Sequence, residues 1–246
     1  MSSHAAAAPP RALVLAAGVG SRLRPLTDRT PKCLISIGGR PLLGYWRDAL
    51  LRTGVQHAAV NTHAHAEQVA AWLAGEGGAG IAWHVLHEPQ LLGSAGTLRA
   101  LLPWLEAAPD FLVIYADNLS TVDLAELVRG HRARGSEFSM ALFEAPNPRA
   151  CGIAELDARG RVVAFEEKPA QPRSSLANAG IYVISRGVAG PLLDERCFDI
   201  GHDLLPRLVG RMDGVPLRGY HRDIGTPDAL ALAEADLRAG ALTSGG

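Results

Sequence analysis

The chain has 246 residues, a formal net charge of −1, 48% hydrophobic and 20% charged residues. That length and composition fit a globular chain with one large core or two small ones. Near neutrality argues against a general nucleic-acid or anionic-membrane binder, which needs a strong basic excess, but leaves room for a small anionic ligand met by a local cluster.

Residues 1–10, "MSSHAAAAPP", lack a basic segment followed by a long apolar run, so they read as a disordered lead-in rather than a signal peptide. No run of about 18 apolar residues occurs, so no membrane span is expected. Cys33, Cys151 and Cys197 are far apart and form no C-x-x-C. A disulfide framework or zinc ribbon is therefore not expected, and a reducing, cytoplasmic setting fits.

"RALVLAA" (11–17) reads as a buried strand, and "PLLGYWRDALLRTG" (41–54) as a helix with Pro41 in its first turn and Gly54 at its end. "HAAVNT" (57–62) and "IAWHVL" (81–86) are strands flanking a helix at 64–77, with Val69, Trp72 and Leu73 inward. "SAGTLRALLPWL" (94–105) starts a helix with Ser94 as its cap. "DFLVIYAD" (110–117) is a continuous apolar strand ending in a carboxylate, and residues 122–135 form a helix whose end, "RGHRARG", is solvated. Alternating strands and helices with near-continuous apolar strands predict a mostly parallel α/β sheet.

After about residue 136 the pattern becomes β-rich. Strands are predicted at "EFSMALFEA", on both sides of a turn at 157–160, and at "LANAGIYVIS" (176–185), with short helices near 202–210 and 226–238. No linker or repeat separates this half, so one domain over 11–240 is expected, with halves 11–135 and 136–240. Trp46, Trp72, Trp83 and Trp104 are read as core residues. The pairs His63/His65 and His84/His87 lack a zinc-type ligand pattern.

The most informative stretch is "LAAGVGSRLRPLTDRTPKCL" (15–34). Four of the eleven residues from Arg22 to Lys32 are basic, and they hang off the carboxyl end of a buried strand. Open α/β sheets bind ligands at that edge. Gly18 and Gly20 permit positive φ and close approach of backbone N–H groups to phosphate oxygens, with Arg22 and Lys32 adding charge. The loop is neither G-x-G-x-x-G, since Leu23 stands at the third glycine, nor a Walker A loop.

"GVGSRLRPLTDRTPKCL" resembles the signature of the sugar-1-phosphate nucleotidylyltransferases, G-x-G-x-R-L-x-P-L-T followed after a short spacer by P-K-x-L, and every defined position is present. The resemblance covers about residues 11–238. It implies a Rossmann-like, GT-A-like α/β sheet flanked by helices with a β-rich sugar-binding subregion. It also implies transfer of a nucleoside monophosphate from an NTP to a sugar 1-phosphate, giving an NDP-sugar and pyrophosphate. The nucleotide contacts it implies are Leu15, Ala16, Ala17, Gly18, Gly20, Ser21, Arg22 and Lys32, with Glu88, Gly93 and Ser94 from "HEPQLLGSAGTLRAL" (87–101).

Such chemistry needs Mg²⁺ against the charge of the leaving pyrophosphate, held by carboxylates at strand ends. Asp117 and Asp223 match the family's metal positions. On the sugar-phosphate side the resemblance points to Asp117, Asn118, Gly152, Glu167, Lys168, Asn178 and Gly180. Lys168 comes from "FEEKP" and Asn178 from "LANAGIYVI". Arg22, Lys32, Asp117 and Lys168 form the implied catalytic set. The chain departs from the family pattern at Gln90 and Leu91, which lengthen a spacer, at Ser94, which replaces a threonine, and at Ala116, which replaces a glycine.

"PKCL" favours a mannose- or heptose-1-phosphate guanylyltransferase using GTP over thymidylyltransferases, which carry Ser-Lys-Gln there. A uridylyltransferase, for example for N-acetylmuramate 1-phosphate, and a cyclitol-phosphate enzyme remain open. So does a catalytically silent nucleotide-sugar sensor or regulatory subunit, although such paralogues lose the metal aspartates or the basic loop, and both are present here. A glycosyltransferase would leave the basic signature unexplained. No hexapeptide repeat occurs, so a bifunctional acyltransferase is not expected. A monomer or homodimer is expected, without nucleic-acid or membrane partners.

Overall fold

The computed structural model describes residues 8–242. The first seven residues of the expected lead-in lie outside the described residues.

Strand β1 (Arg11–Leu15) is the centre of the parallel part of the sheet. It pairs in parallel with β4 (His57–Thr62) and β6 (Asp110–Tyr115), and β5 (Ala82–His87) extends the sheet beyond β4. Between them come a minimal ribbon of β2 (Ser36–Ile37) and β3 (Arg40–Pro41) and the helices α1 (Leu42–Arg52) and α2 (Ala66–Ala74). Helix α3 (Gly93–Leu105) precedes β6. β1 and β6 are buried along nearly their whole length, so their sequences are continuously apolar instead of alternating.

A three-residue strand β7 (Asn118–Ser120) and helix α4 (Leu124–Arg134) follow. The second half adds β8 (Phe138–Glu144), the hairpin β9 (Gly152–Leu156) and β10 (Val162–Glu167), and the long β11 (Leu176–Ser185). β11 runs antiparallel to β6 and to β8 and so joins the two halves in one sheet. Its register shifts between Asn178 and Tyr182, at Gly180 with φ +67°. β12 (Met212–Pro216) pairs in parallel with β8. The nine-stranded order is β10-β9-β11-β6-β1-β4-β5, with β8 also on β11 and β12 on β8. The sheet is thus mixed: parallel in the first half, antiparallel through β11.

Alternate residues of β1 feed two cores. Leu13 and Leu15 pack with Leu98, Leu101 and Leu105 of α3, and Ala12 and Val14 pack with Trp46 of α1, Val69 of α2 and Leu127 of α4. The period-2 alternation of a strand distributes one sequence run to helices on opposite faces. A third cluster closes the far side: α5 (Pro227–Arg238), through Ala233, covers Leu119 of β7 and Ile224, which follows β13 (His221–Asp223).

Three sequence expectations change. The end of α4 is not solvated throughout. His131 is buried at 2% exposure, its ring bonded to Ser139 Oγ at 2.9 Å and Ser185 Oγ at 3.0 Å, and Arg132 grips both oxygens of Asp110. His131 falls one heptad after Leu124, on the face shared with Leu127 and Val128. Ser94 does not cap α3, which starts at Gly93 without a side-chain cap, because its hydroxyl is taken by a tertiary partner described below. Trp46 is fully buried, but Trp72, Trp83 and Trp104 are only partly so. Trp104 lies beneath the guanidinium of Arg11, 4.5 Å from its ring centre.

Candidate active site

A cavity of about 380 Å³ opens at the carboxyl ends of β1 and β6. Leu15, Ala16, Ala17, Gly18, Gly20, Ser21, Arg22 and Lys32 line it, together with Glu88, Gly93, Ser94 and Asp117. The structure therefore brings every residue of the expected nucleotide set to one cavity.

The loop after β1 owes its shape to a few contacts. Gly20 has φ +65°, and a Cβ there would stand 2.8 Å from Thr27 Cγ2. Thr27, the threonine of the R-P-L-T run, is buried and donates its hydroxyl to the Gly20 carbonyl at 2.8 Å. Gly18 needs no positive φ and has open space where its Cβ would be, so its part is to leave room, not to turn the chain. A single turn after Pro31 puts Lys32 inward at 7% exposure, next to buried Cys33. Burial pushes the Cys33 thiol up to about 12, which makes it an inert apolar group.

The Lys32 ammonium meets two carboxylates. Its Nζ lies 3.0 Å from Asp117 Oδ2 and 3.3 Å from Asp223 Oδ1. These aspartates are distant in sequence but joined by a ribbon: β7 pairs antiparallel with β13, with Asn118 opposite Asp223, and Ile224 N donates to the Asp117 carbonyl at 3.2 Å. Arg22 Nη2 stands 3.9 Å from Asp223 Oδ2. Gly225 sits inside this cluster; its N–H donates to Asp223 Oδ1 at 2.7 Å, and a Cβ would come within 2.8 to 3.1 Å of Asp223, Arg22 and Lys32.

On the opposite wall, Ser94 Oγ donates to Asp199 Oδ2 at 3.0 Å and accepts from Ile200 N at 2.8 Å. This ties the start of α3 to a π-helical turn, Ile200–Leu204, capped by Asp199. Gly93 (φ +74°) lets the Phe198 carbonyl approach its Cα face, where a side chain would collide. Phe198 and Leu91 form an exposed apolar rim. Glu88 is buried, and its oxygens accept from Asn61 Nδ2, Thr97 Oγ1 and Leu92 N.

The second group is more dispersed. Lys168 is exposed and has φ +51°, fixed by its N–H donating to the Cys151 carbonyl at 3.0 Å. Burial raises the Glu167 carboxyl above its ordinary value, with Lys168 opposing. Gly152 and Gly201 leave the space Glu167 occupies; a Cβ on Gly201 would be 3.2 Å from Glu167 Oε2. Asn178 Nδ2 donates to the buried Tyr182 hydroxyl at 2.7 Å, and its Oδ1 accepts from Gly180 N at 2.9 Å, which organises the bulge. Asn118 is buried, and its amide donates to the Ala179 carbonyl at 3.3 Å. Asn118 and Asn178 are thus engaged within the fold and do not line the cavity.

A nucleotidyl transferase model matches residues 11–240. The chain belongs to the nucleotidyl transferase family. It is 32% identical over 231 residues, 92% of its length, to a mannose-1-phosphate guanylyltransferase of Mycobacterium tuberculosis. It is 32% identical over 178 residues, 72% of its length, to a glucose-1-phosphate thymidylyltransferase of Streptomyces griseus. It spans only 64% and 50% of those two relatives. The fold matches a putative glucose-1-phosphate thymidylyltransferase from Bacillus anthracis (TM-score 0.82, 23% identity, 96% of this chain and 97% of that one). It also matches HddC from Yersinia pseudotuberculosis, solved with GMP-PN (TM-score 0.78, 22% identity, 93% and 99%).

Asn61, Tyr115, Asp199 and Gly225 also line the cavity, and sequence reading had not assigned them. Asn61 was visible as a polar residue in an apolar strand. The Tyr115 phenol, raised well above its ordinary value chiefly by burial, stays protonated.

Proposed function

We propose that the protein transfers a nucleoside monophosphate, with GTP the favoured donor, to a mannose- or heptose-type sugar 1-phosphate, releasing pyrophosphate. The observation that carries this reading is the meeting of Lys32 Nζ, from the basic loop, with two aspartates in the wall of a cavity lined by the backbone of that loop. The guanine preference rests on "PKCL" and on the guanylyltransferase names among the relatives.

The chemistry of the donors fits Mg²⁺. Asp117 and Asp223 offer hard oxygen ligands, both within hydrogen-bond reach of one ammonium, and Mg²⁺ sites commonly use one or two carboxylates plus phosphate oxygens. Asp117 and Asp223 are assigned to hold it; once bound it offsets charge on the phosphates.

The side chains supply the rest. A sugar 1-phosphate has a second pKa of about 6, so at neutral pH it is mostly dianionic and attacks without a general base. Catalysis is then positioning and charge stabilisation. Gly18 and Gly20 admit the triphosphate against the loop. Arg22 and Lys32 hold its phosphates and the departing pyrophosphate. Lys168 holds the sugar phosphate in line with the α-phosphorus, and a single displacement inverts that phosphorus.

The test is pyrophosphate release with Mg²⁺, the five common NTPs and a panel of sugar 1-phosphates. Release is expected fastest with GTP and a mannose- or heptose-type acceptor. Release with no pair overturns the reading in favour of a silent nucleotide-sugar sensor.

A further inference from the structure

We infer that Lys32 is the resident counter-ion of the two metal-assigned aspartates and keeps free divalent cations out until a triphosphate draws it away. The inference rests on the assignment of Asp117 and Asp223 as metal ligands.

Lys32 is 7% exposed, and its ammonium is placed between Asp117 Oδ2 at 3.0 Å and Asp223 Oδ1 at 3.3 Å. An ammonium so far withdrawn from water needs its anionic partners. Asp223 Oδ1 also accepts from Gly225 N, and its other oxygen faces Arg22 Nη2 at 3.9 Å. Of the four carboxylate oxygens, only Asp117 Oδ1 has no hydrogen bond or ion pair to another group among the described residues.

The four side chains together are neutral, two cations against two anions. A bare divalent cation approaching them gains no net attraction and must displace an ammonium already in contact with both ligands. A nucleoside triphosphate reverses this. Its phosphate oxygens offer Lys32 and Arg22 stronger anionic partners, which releases the aspartates to the cation. Gly225 helps by leaving room around Nζ, since a Cβ would stand 3.1 Å from it. Cation and triphosphate thus bind with positive coupling, and linkage makes the coupling reciprocal.

The test uses Mn²⁺ alone as probe, titrated into the nucleotide-free full chain and followed by the electron paramagnetic resonance of unbound Mn²⁺. Lys32→Met removes the resident charge and leaves the aspartates a net negative pair. It should bind Mn²⁺ at least about tenfold more tightly than the unsubstituted protein. Lys32→Gln, which retains a polar tip, should shift the affinity in the same direction and serves if the methionine variant fails to fold. Adding Asp117→Asn to either should abolish the gain. Equal or weaker Mn²⁺ binding by the folded Lys32 variants overturns the inference. The two levels fail separately: absence of pyrophosphate release by the unsubstituted protein defeats the proposed function while leaving the Mn²⁺ difference intact, and equal Mn²⁺ affinities in a protein that does release pyrophosphate defeat only the counter-ion role.

Discussion

Asn61 Nδ2 donates to Glu88 Oε1 at 2.9 Å in the wall of the cavity, while Asn61 Oδ1 accepts the N–H groups of Ala16 at 2.7 Å and Ala17 at 3.3 Å. One side chain therefore ties the start of the basic loop to the end of β5 and, through Thr97 Oγ1 at 3.2 Å, to α3. Asn61 is 4% exposed and Glu88 2%. Asn61→Ala leaves buried donors and part of a buried carboxylate without partners, each costing about 1–3 kcal/mol. The expected result is a loss of about 2–4 kcal/mol in urea unfolding. With the loop no longer held, KM for the nucleotide should rise about tenfold, with a smaller effect on KM for the sugar phosphate. An unchanged nucleotide KM in a destabilised variant would reduce Asn61 to a purely structural residue.

Gly225 offers a sharper probe of the charge cluster because its backbone has no positive φ, so alanine adds bulk without backbone strain. That bulk falls 2.8 Å from Asp223 Oδ1, 2.9 Å from Arg22 Nη2 and 3.1 Å from Lys32 Nζ. Gly225→Ala should separate these groups and lower kcat on the order of 10²–10³-fold, the scale seen when one preorganised electrostatic partner is removed. Its thermal midpoint should stay within a few degrees of the unsubstituted protein. Near-normal kcat in steady-state assays would show that the cluster does not act on the reacting phosphates.

Lys168 is exposed and left-handed, and its hydrogen bond among the described residues is made by its backbone N–H. Alanine there changes no buried contact and carries no more backbone strain than lysine. Lys168→Ala should raise KM for the sugar 1-phosphate by about tenfold or more, the range for one charge-assisted contact, and leave the nucleotide KM within twofold. Initial-rate kinetics varying each substrate separate the two. Equal effects on both would remove its assignment to the sugar phosphate.

The basic loop was readable because its information is local: glycines, basic residues and the P-K-x-L run lie within one stretch directly after an apolar strand. The parallel alternation of the first half was readable for the same reason, since β1 and β6 are buried end to end. The meeting of Lys32 with Asp117 and Asp223 was not derivable from pattern. It depends on β7 and β13, three-residue strands too short to carry a period, and entered only as an implication of the family resemblance. Asp199 was missed because its partner is Ser94, a contact that no local rule connects. His131 was misread because basic neighbours on the exposed side of α4 masked an apolar face that the 124, 127, 128, 131 spacing already contained.

His221 sets a pH dependence of stability. It is the first residue of β13, the strand that ends in Asp223, packs on the Phe143 ring at 4.7 Å, and has a buried Nδ1 without a hydrogen-bond partner among the described residues. Burial lowers its pKa from 6.5 to about 4. Folding therefore favours the neutral ring. The unfolded chain binds the proton at about 6.5 and the folded one only near 4, so stability is complete above pH 6.5 and falls as pH drops from there towards 4. A shift of this size corresponds to at most about 3 kcal/mol once the window is crossed. His131, also lowered by burial, adds loss of the same sign. His221→Phe keeps a flat ring against Phe143 and removes both the titration and the orphaned nitrogen. At pH 7 it should match or slightly exceed the unsubstituted protein in urea unfolding. At pH 5 it should be more stable by about 1–2 kcal/mol, with a shallower but still positive slope from His131. Parallel pH profiles for the two proteins would show that His221 accepts its proton in the folded state as readily as in water.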